Sequence, residues 1–504
     1  MEFKKMIKDN NKYKKLFYFI FVVIAAIIIT FVLFKYPQQG VADQGDFDRV
    51  MTSSGLSLLD SDKDNSDFVR FYDYTVTNYK ISWNIISILL TIIGSSIGYL
   101  IFSISAICKL LGSDVFKTQY LAIAYSIIYI AGLTLLLKNL KIKSKLKLFL
   151  LSIIFLFIFL DGNYLIWFNS LYGEPMMITT CIMFIVSFLN YVNYKYGKKD
   201  DTRLVRNIVY VFIAAFLFLG SKMQVLTALP FIAVLLGKIL WDNRNSIKKK
   251  TLIKLGVFFA IVVIYPVQLN KTNGNISKDT QYNSVFFGVL NGSETPEQDL
   301  IDMGLNPEMA VEAGKHSYLD SSEYEKYVPR ADVTESEFYS KMSNGKLAKF
   351  YLTHPKRLIE GMEYTASKAY ITSTSLGKCS REDSEESIKE LNRFTVWSTF
   401  RENHLPAKLW FIIGVYLSIF AVSLCTFIKN RSNGEVRNKI ILLWAIMLIG
   451  AIQFPMPFVG NGKADTAKQL FLFNFIFDIM LVTFVSWICF SVIDLFKNKL
   501  IIKR

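Results

Sequence analysis

The sequence predicts an all-α fold: a polytopic transmembrane helical bundle of about ten spans carrying a small, mainly helical extracytoplasmic cap. Three observations predict it. Hydrophobic residues make up 52% of the 504, and the mean hydropathy of +0.34 is higher than a water-soluble domain of this size carries. Apolar runs of about 20 residues, long enough to cross a hydrocarbon core, recur along the chain. Lys and Arg, which give a formal net charge of +16, sit in short clusters between those runs, and cytoplasmic loops are where membrane proteins concentrate such charge. That distribution argues against nucleic acid as a partner and for the lipid bilayer.

The first run, Leu16 to Phe34, stands behind Lys4, Lys5, Lys8, Lys14 and Lys15. Lys35 follows it where a signal peptide would show small residues, so it reads as a retained helix over 16–36. Further spans are expected at 118–137, 148–168, 176–194, 205–220, 224–241, 251–268, 407–428, 440–457 and 470–495. From a cytoplasmic N-terminus, alternation puts the clusters Lys138 to Lys147, Lys195 to Arg206, Arg244 to Lys250, Lys429 to Lys439 and Lys497 to Arg504 all inside. Residues 81–107 are also long and apolar enough to span, but a crossing there would turn those clusters outward. With Gly94-Ser95-Ser96 and Gly98 at its middle, this segment is expected to break and return to the outer side, in-plane or re-entrant. An eleventh span is the alternative.

The chain therefore divides into a cytoplasmic N-terminus and first helix (1–36), a first outer loop (37–117), a transmembrane core (118–268), an extracytoplasmic loop domain (269–406) and C-terminal helices (407–504). Within the loop domain, Thr295-Pro296-Glu297-Gln298 reads as an N-cap, a first-turn proline and a capping-box Gln. Asn306-Pro307-Glu308 and Thr334-Glu335-Ser336-Glu337 repeat the signal. Four of the five cysteines, Cys108, Cys181, Cys425 and Cys489, lie in or beside apolar segments, and Cys379 stands alone in the outer loop, which excludes a disulfide framework there. His316, His354 and His404 are too scattered to nominate a metal site.

No Gly-x-x-x-x-Gly-Lys-Ser/Thr loop is present, which disfavours an ATP-driven pump, and no Gly-x-Gly-x-x-Gly opens a helix after a strand. The inner loops are too short for a nucleotide-sugar domain. Chemistry must then use a membrane-borne activated substrate on the outer face. The acidic stretch Gly45-Asp46-Phe47-Asp48-Arg49 emerges there, just past the first span. A carboxylate can take the proton of an attacking hydroxyl while a neighbouring arginine binds phosphate. The alternative is a solvated loop, since Asp43, Asp60, Asp62, Asp64 and Asp67 share the region.

Phe168-Asn169-Ser170-Leu171-Tyr172-Gly173-Glu174-Pro175 joins two spans and offers a second carboxylate, Glu174, at a helix start suited to negative charge. Asp161, inside the span before it, is an intramembrane carboxylate and so a candidate by position. Ser221-Lys222-Met223-Gln224 and Gly460-Asn461-Gly462-Lys463, the latter with Asp465 and Lys468, bring cations to the same face, where a lipid phosphate could be held; head-group snorkelling is the plainer role.

These segments, with Tyr282-Asn283-Ser284-Val285-Phe286-Phe287-Gly288-Val289, resemble the GT-C glycosyltransferases, and within them the bacterial glycan-biosynthesis hexose transferases. The resemblance covers nearly the whole chain through short motifs. It implies an inverting membrane enzyme that moves a sugar from a polyprenyl-phosphate-linked donor to an extracytoplasmic glycan or polymer acceptor, in cell-envelope glycan biosynthesis. Asp46 carries over as the catalytic acidic residue, with Asp48 the rival base because Phe47 separates the pair, and Glu174 as a supporting carboxylate. Arg49, Asn169, Tyr172, Lys222, Gln224, Lys463 and Lys468 are then the expected substrate- and phosphate-binding residues. Some GT-C enzymes use a divalent ion, Mg or Mn, and others none, so the resemblance leaves the cofactor open. A transporter or flippase of lipid-linked sugars is the competing function, and it would want charged groups along a path reaching both faces.

Overall fold

A computed structural model describes residues 2–63, 72–197, 201–271 and 274–502. Asp64 and Asp67, residues 198–200 of the Lys195–Arg206 cluster, residues 272–273 at the start of the outer loop domain, and 503–504 lie outside the described residues.

Among the described residues, eight helices are long and apolar enough to cross a membrane: Tyr13–Leu33, Thr118–Asn139, Glu174–Lys195, Met223–Asn243, Lys249–Asn270, Leu409–Lys429, Gly434–Asn461 and Phe471–Lys497. Each overlaps an expected span. The segment expected at 205–220 is also helical, Asp201–Leu219, although Arg203 and Arg206 shorten its apolar part. Burial sorts the helices. In Glu174–Lys195, 83% of the apolar window is covered by protein, against 17% in Leu409–Lys429, so the former is the central helix and the latter faces lipid.

The span expected at 148–168 is not one straight helix. It is a pair, Lys145–Phe159 and Gly162–Asn169, bent by 56°. The cause is local. Asp161 accepts from the amide of Asn163 at 2.9 Å and from that of Ser398, in the outer loop, at 2.9 Å. Gly162 donates to the Phe394 carbonyl at 2.8 Å, and a Cβ there would lie 2.0 Å from the Arg393 carbonyl oxygen. The outer loop thus enters the helix break, and Asp161 caps and ties backbone; it is a structural carboxylate.

Between the first two spans the chain builds a small antiparallel sheet that the sequence reading lacked: β1 (Leu56–Leu58), β2 (Asn78–Ile81) and β3 (Val115–Lys117), with β2 central. Lys80 pairs with Ser57 on one side and Val115 on the other. Residues 81–107 run between β2 and β3 as two helices, Ile85–Ile93 and Ser96–Leu110, separated at Gly94-Ser95, while Gly98 sits inside the second helix. Asn84 caps the first with a reciprocal Ser87 bond. Because β2 and β3 are hydrogen-bonded neighbours, the segment leaves and returns at one place. A single crossing would separate its ends by about 30 Å.

A second hydrophobic cluster joins the 269–406 region to the bundle: Tyr282, Phe286, Tyr327, Phe338 and Phe350 pack on Phe458, Phe473 and Phe477 of the last two spans. The helices of that region are short. Pro296–Asp302 starts at the expected place without a Thr295 side-chain cap. Asn306 caps a 3-10 turn, Pro307–Glu312, by accepting from Glu308. The third start lies at Asp332, upstream of Thr334.

Candidate functional site

Asp43 organises the acidic stretch. Its Oδ1 accepts from the amides of Gly45, Asp46 and Phe47 at 2.8, 2.8 and 3.1 Å, closing a turn that feeds the helix Phe47–Ser54. Phe47 then points inward, 3% exposed, its ring 4.7 Å from that of Tyr172. This turn separates the two aspartates: Asp46 faces the protein and Asp48 faces solvent with no side-chain bond among the described residues.

Asp46 stands among cations. One carboxylate oxygen pairs with Arg49, the other with Lys468. Burial works against the ionised carboxylate, but the Lys468, Lys222 and Arg49 charges outweigh it and hold Asp46 well below the usual range. Lys468 in turn, although desolvated, is kept protonated by Asp46, Tyr172 and Glu174. Its ammonium lies 4.6 Å from the Tyr172 ring centre. The Tyr172 hydroxyl donates to the Ala42 carbonyl at 3.0 Å and accepts from the Gln44 amide at 2.9 Å. Gln44 bridges Lys468 (3.4 Å) and Asp465 (2.8 Å).

Glu174, fully buried at the start of the central helix, pairs with Lys222 at 2.5 Å through one oxygen; its other oxygen, Oε2, is buried with no partner among the described residues. Asp46, Glu174, Arg49, Lys222 and Lys468 therefore form one cluster with three cations and two anions. The motif segments converge on it and on each other. Gly173 abuts the Ser221 carbonyl, where a Cβ would stand 3.1 Å away. Asn283 donates to Asn461 at 2.8 Å, and Gly462, at φ +61°, leaves room for the Gly288 amide, which a Cβ would approach to 2.7 Å. Five stretches spread over more than four hundred residues meet at one end of the bundle.

The remaining expected residues hold the frame. Asn169, 4% exposed, donates to the carbonyls of Leu33 and Gln39 at 3.0 and 2.8 Å and accepts from Gln38, so both its N–H donors are used in tying the acidic stretch to the bundle. Gln224 donates to Gln453 and to the Gln469 carbonyl at 3.0 and 3.1 Å, locking the turn beneath Lys468. Lys463 binds Asn291 at 3.0 Å and belongs to the cap contact; partial burial lowers its proton affinity. In all three, side-chain N–H groups are engaged by nearby oxygens that hold the loops in place.

Two groups escaped the sequence reading. Gln44 carries no sequence signal. Asp478, in the last span, does carry one, as an intramembrane carboxylate. It accepts from Arg401 (2.5 Å), Tyr164 (2.7 Å) and Trp397 (3.0 Å), with both charged side chains fully buried. Arg401 also donates to the Tyr370 carbonyl and to Thr372. Close by in sequence, Arg393 donates to the carbonyls of Lys35 and Pro37, and Gly40 and Ala42 donate to the carbonyls of Lys378 and Gly377. The tail of the outer loop thus backs the acidic stretch along its length.

A family model described as the YfdI N-terminal transmembrane domain matches residues 2–504, so the chain belongs to that family and is a multi-pass membrane protein. Neither a curated protein nor a solved structure matches it.

Proposed function

We propose that this member of the YfdI N-terminal transmembrane domain family is a GT-C-type membrane glycosyltransferase, transferring one sugar from a polyprenyl-phosphate-linked donor to an acceptor outside the cytoplasm. The observation that carries the proposal is the Asp46 cluster: a single inward-facing carboxylate, held by Lys468 and Arg49 and neighboured by the Glu174–Lys222 pair.

The donor phosphodiester is an anion that competes with Asp46 for those cations. As Arg49, Lys468 and Lys222 turn to the phosphate, Asp46 loses the charges that suppress its basicity and becomes able to accept a proton. The acceptor hydroxyl gives its proton to Asp46, its oxygen attacks the anomeric carbon, and the bond from that carbon to the phosphate oxygen breaks. The lipid phosphate departs as an anion neutralised by the same cations, and the centre inverts. Glu174 Oε2 is free to accept a hydroxyl of the sugar. The donor set does not suit a divalent ion, because both carboxylates already face cations and no group of three ligand-type side chains gathers among the described residues.

The test is transfer by the full chain reconstituted with polyprenyl-phosphate sugar and a glycan acceptor, wild type against Asp46→Asn. Loss of transfer with donor binding kept supports the proposal. Full activity of the variant overturns it. Donor crossing the bilayer unchanged, without acceptor, would identify a flippase in its place.

A further inference from the structure

At the opposite end of the bundle, near the basic loops, lies a cavity of about 330 Å³ lined by Lys195, Tyr196, Lys238, Asp242, Arg437 and Asn438. Three spans meet there: the end of Glu174–Lys195, the end of Met223–Asn243 and the start of Gly434–Asn461. Among the described residues, three cations line it with one carboxylate, an excess of two positive charges. Asp242 Oδ2 is shared between Lys238 at 2.5 Å and Lys195 at 3.8 Å. Arg437 lies over the Phe427 ring at 4.7 Å, gives one Nη to the Arg431 carbonyl, and has its Nε buried with no partner among the described residues. Tyr196 is fixed by Asn438, which donates to its hydroxyl at 2.9 Å.

A buried guanidinium nitrogen without an acceptor, beside two lysines that share one carboxylate oxygen, is an incomplete anion site. Its depth in the bilayer is marked by Trp241, adjacent to Asp242 and 65% exposed, as expected of an aromatic ring at the head-group level. We propose that this cavity binds the phosphate of an anionic phospholipid of the cytoplasmic leaflet, with Arg437, Lys238 and Lys195 as its ligands. The site is separate from the Asp46 cluster, and its occupancy does not depend on the transferase reading.

The experiment uses the full-length protein in nanodiscs of phosphatidylcholine, with and without phosphatidylglycerol, read by thermal unfolding and by lipid retained in native mass spectrometry. Phosphatidylglycerol should raise the unfolding midpoint of the wild type. Retention should fall about fivefold for each charge removed in Lys238→Gln and Arg437→Gln. Lys238→Arg should restore it, and Asp242→Asn should exceed wild type. The Asp242→Asn arm keeps the test decisive if a glutamine variant fails to fold. Equal retention in wild type and all variants overturns the proposal. So does an equal shift from inorganic phosphate in phosphatidylcholine alone, which would make the ligand a soluble anion.

Discussion

Two ion pairs tie the outer loops to the region of the last span, and they are built to opposite ends. Arg401–Asp478 is fully buried, and its carboxylate oxygen also receives Tyr164 and Trp397. Lys468–Asp46 lies at a rim: the Asp46 side chain is 31% exposed, and a second cation, Arg49, competes for it. The first pair has one geometry, enforced by Tyr164, Trp397, Thr372 and the Tyr370 carbonyl packed around it. The second shares one carboxylate between two cations and has access to solvent, so an incoming anion can rearrange it. A buried pair is a lock; a rim pair whose carboxylate is shared by two cations is a seat for a phosphate.

The largest effect that separates them is on activity. Asp46→Asn keeps the size and removes the base, so transfer should fall by about 10²–10⁴-fold. Stability should fall by less than in Arg401→Met, because the Asp46 side chain is 31% exposed and Glu174 and Tyr172 remain beside Lys468. Arg401→Met should do the reverse. It strands Asp478 in an apolar core, and thermal or denaturant unfolding of the detergent-solubilised protein should report a loss of about 3–5 kcal/mol. Arg401→Met protein that does fold should retain transfer in proportion to its folded fraction. Similar destabilisation from both variants would erase the distinction.

The next effect is on pH dependence. With its pKa depressed, Asp46 stays ionised in the free protein through the neutral range, and its stabilising pairs are lost only as pH falls below the ordinary carboxylate range. The acid limb of kcat/KM, which reports the free enzyme, should therefore lie at lower pH than the acid limb of kcat, which reports the state with phosphate bound and the cations drawn away. Lys468→Gln removes one of those cations. It should move the kcat/KM limb upward toward the kcat limb, narrowing the gap. A pH profile unchanged by Lys468→Gln would mean that another group sets the limb.

The spans were legible because hydrophobic length and basic loops are local signals, and the Glu174–Pro175 helix start lies where Pro at the first turn places it. The Lys145–Asn169 bend was not legible, because its cause is the Ser398 amide and the Phe394 carbonyl, far away in sequence. β1–β3 were missed for a related reason: strands of three or four residues between polar turns carry too little periodicity to stand out. At the site, residue types were readable but their employment was not. Asn169, Gln224 and Lys463 also hold loop closures, through partners far away in sequence that no local pattern announces. Asp46 and Lys468, 422 positions apart, are joined only by the fold.

The smallest expected effect concerns the other aspartate. From sequence, Asp46 and Asp48 are equivalent candidates on either side of Phe47. The structure breaks the equivalence through Asp43, whose three amide bonds set the turn, and through Phe47, which packs against Tyr172 and so turns the next side chain outward. Asp48 retains one favourable role, as an acidic residue in the first turn of Phe47–Ser54, where a negative charge gains about 0.3–1 kcal/mol from the helix dipole. Asp48→Asn should therefore lower stability by no more than that amount and leave transfer within about twofold of wild type. Measured beside Asp46→Asn under the same donor concentration, it assigns the base directly. A loss of transfer by Asp48→Asn as large as that of Asp46→Asn would require the Phe47 turn to open in the reacting state, and would move the catalytic carboxylate to the solvent side of the stretch.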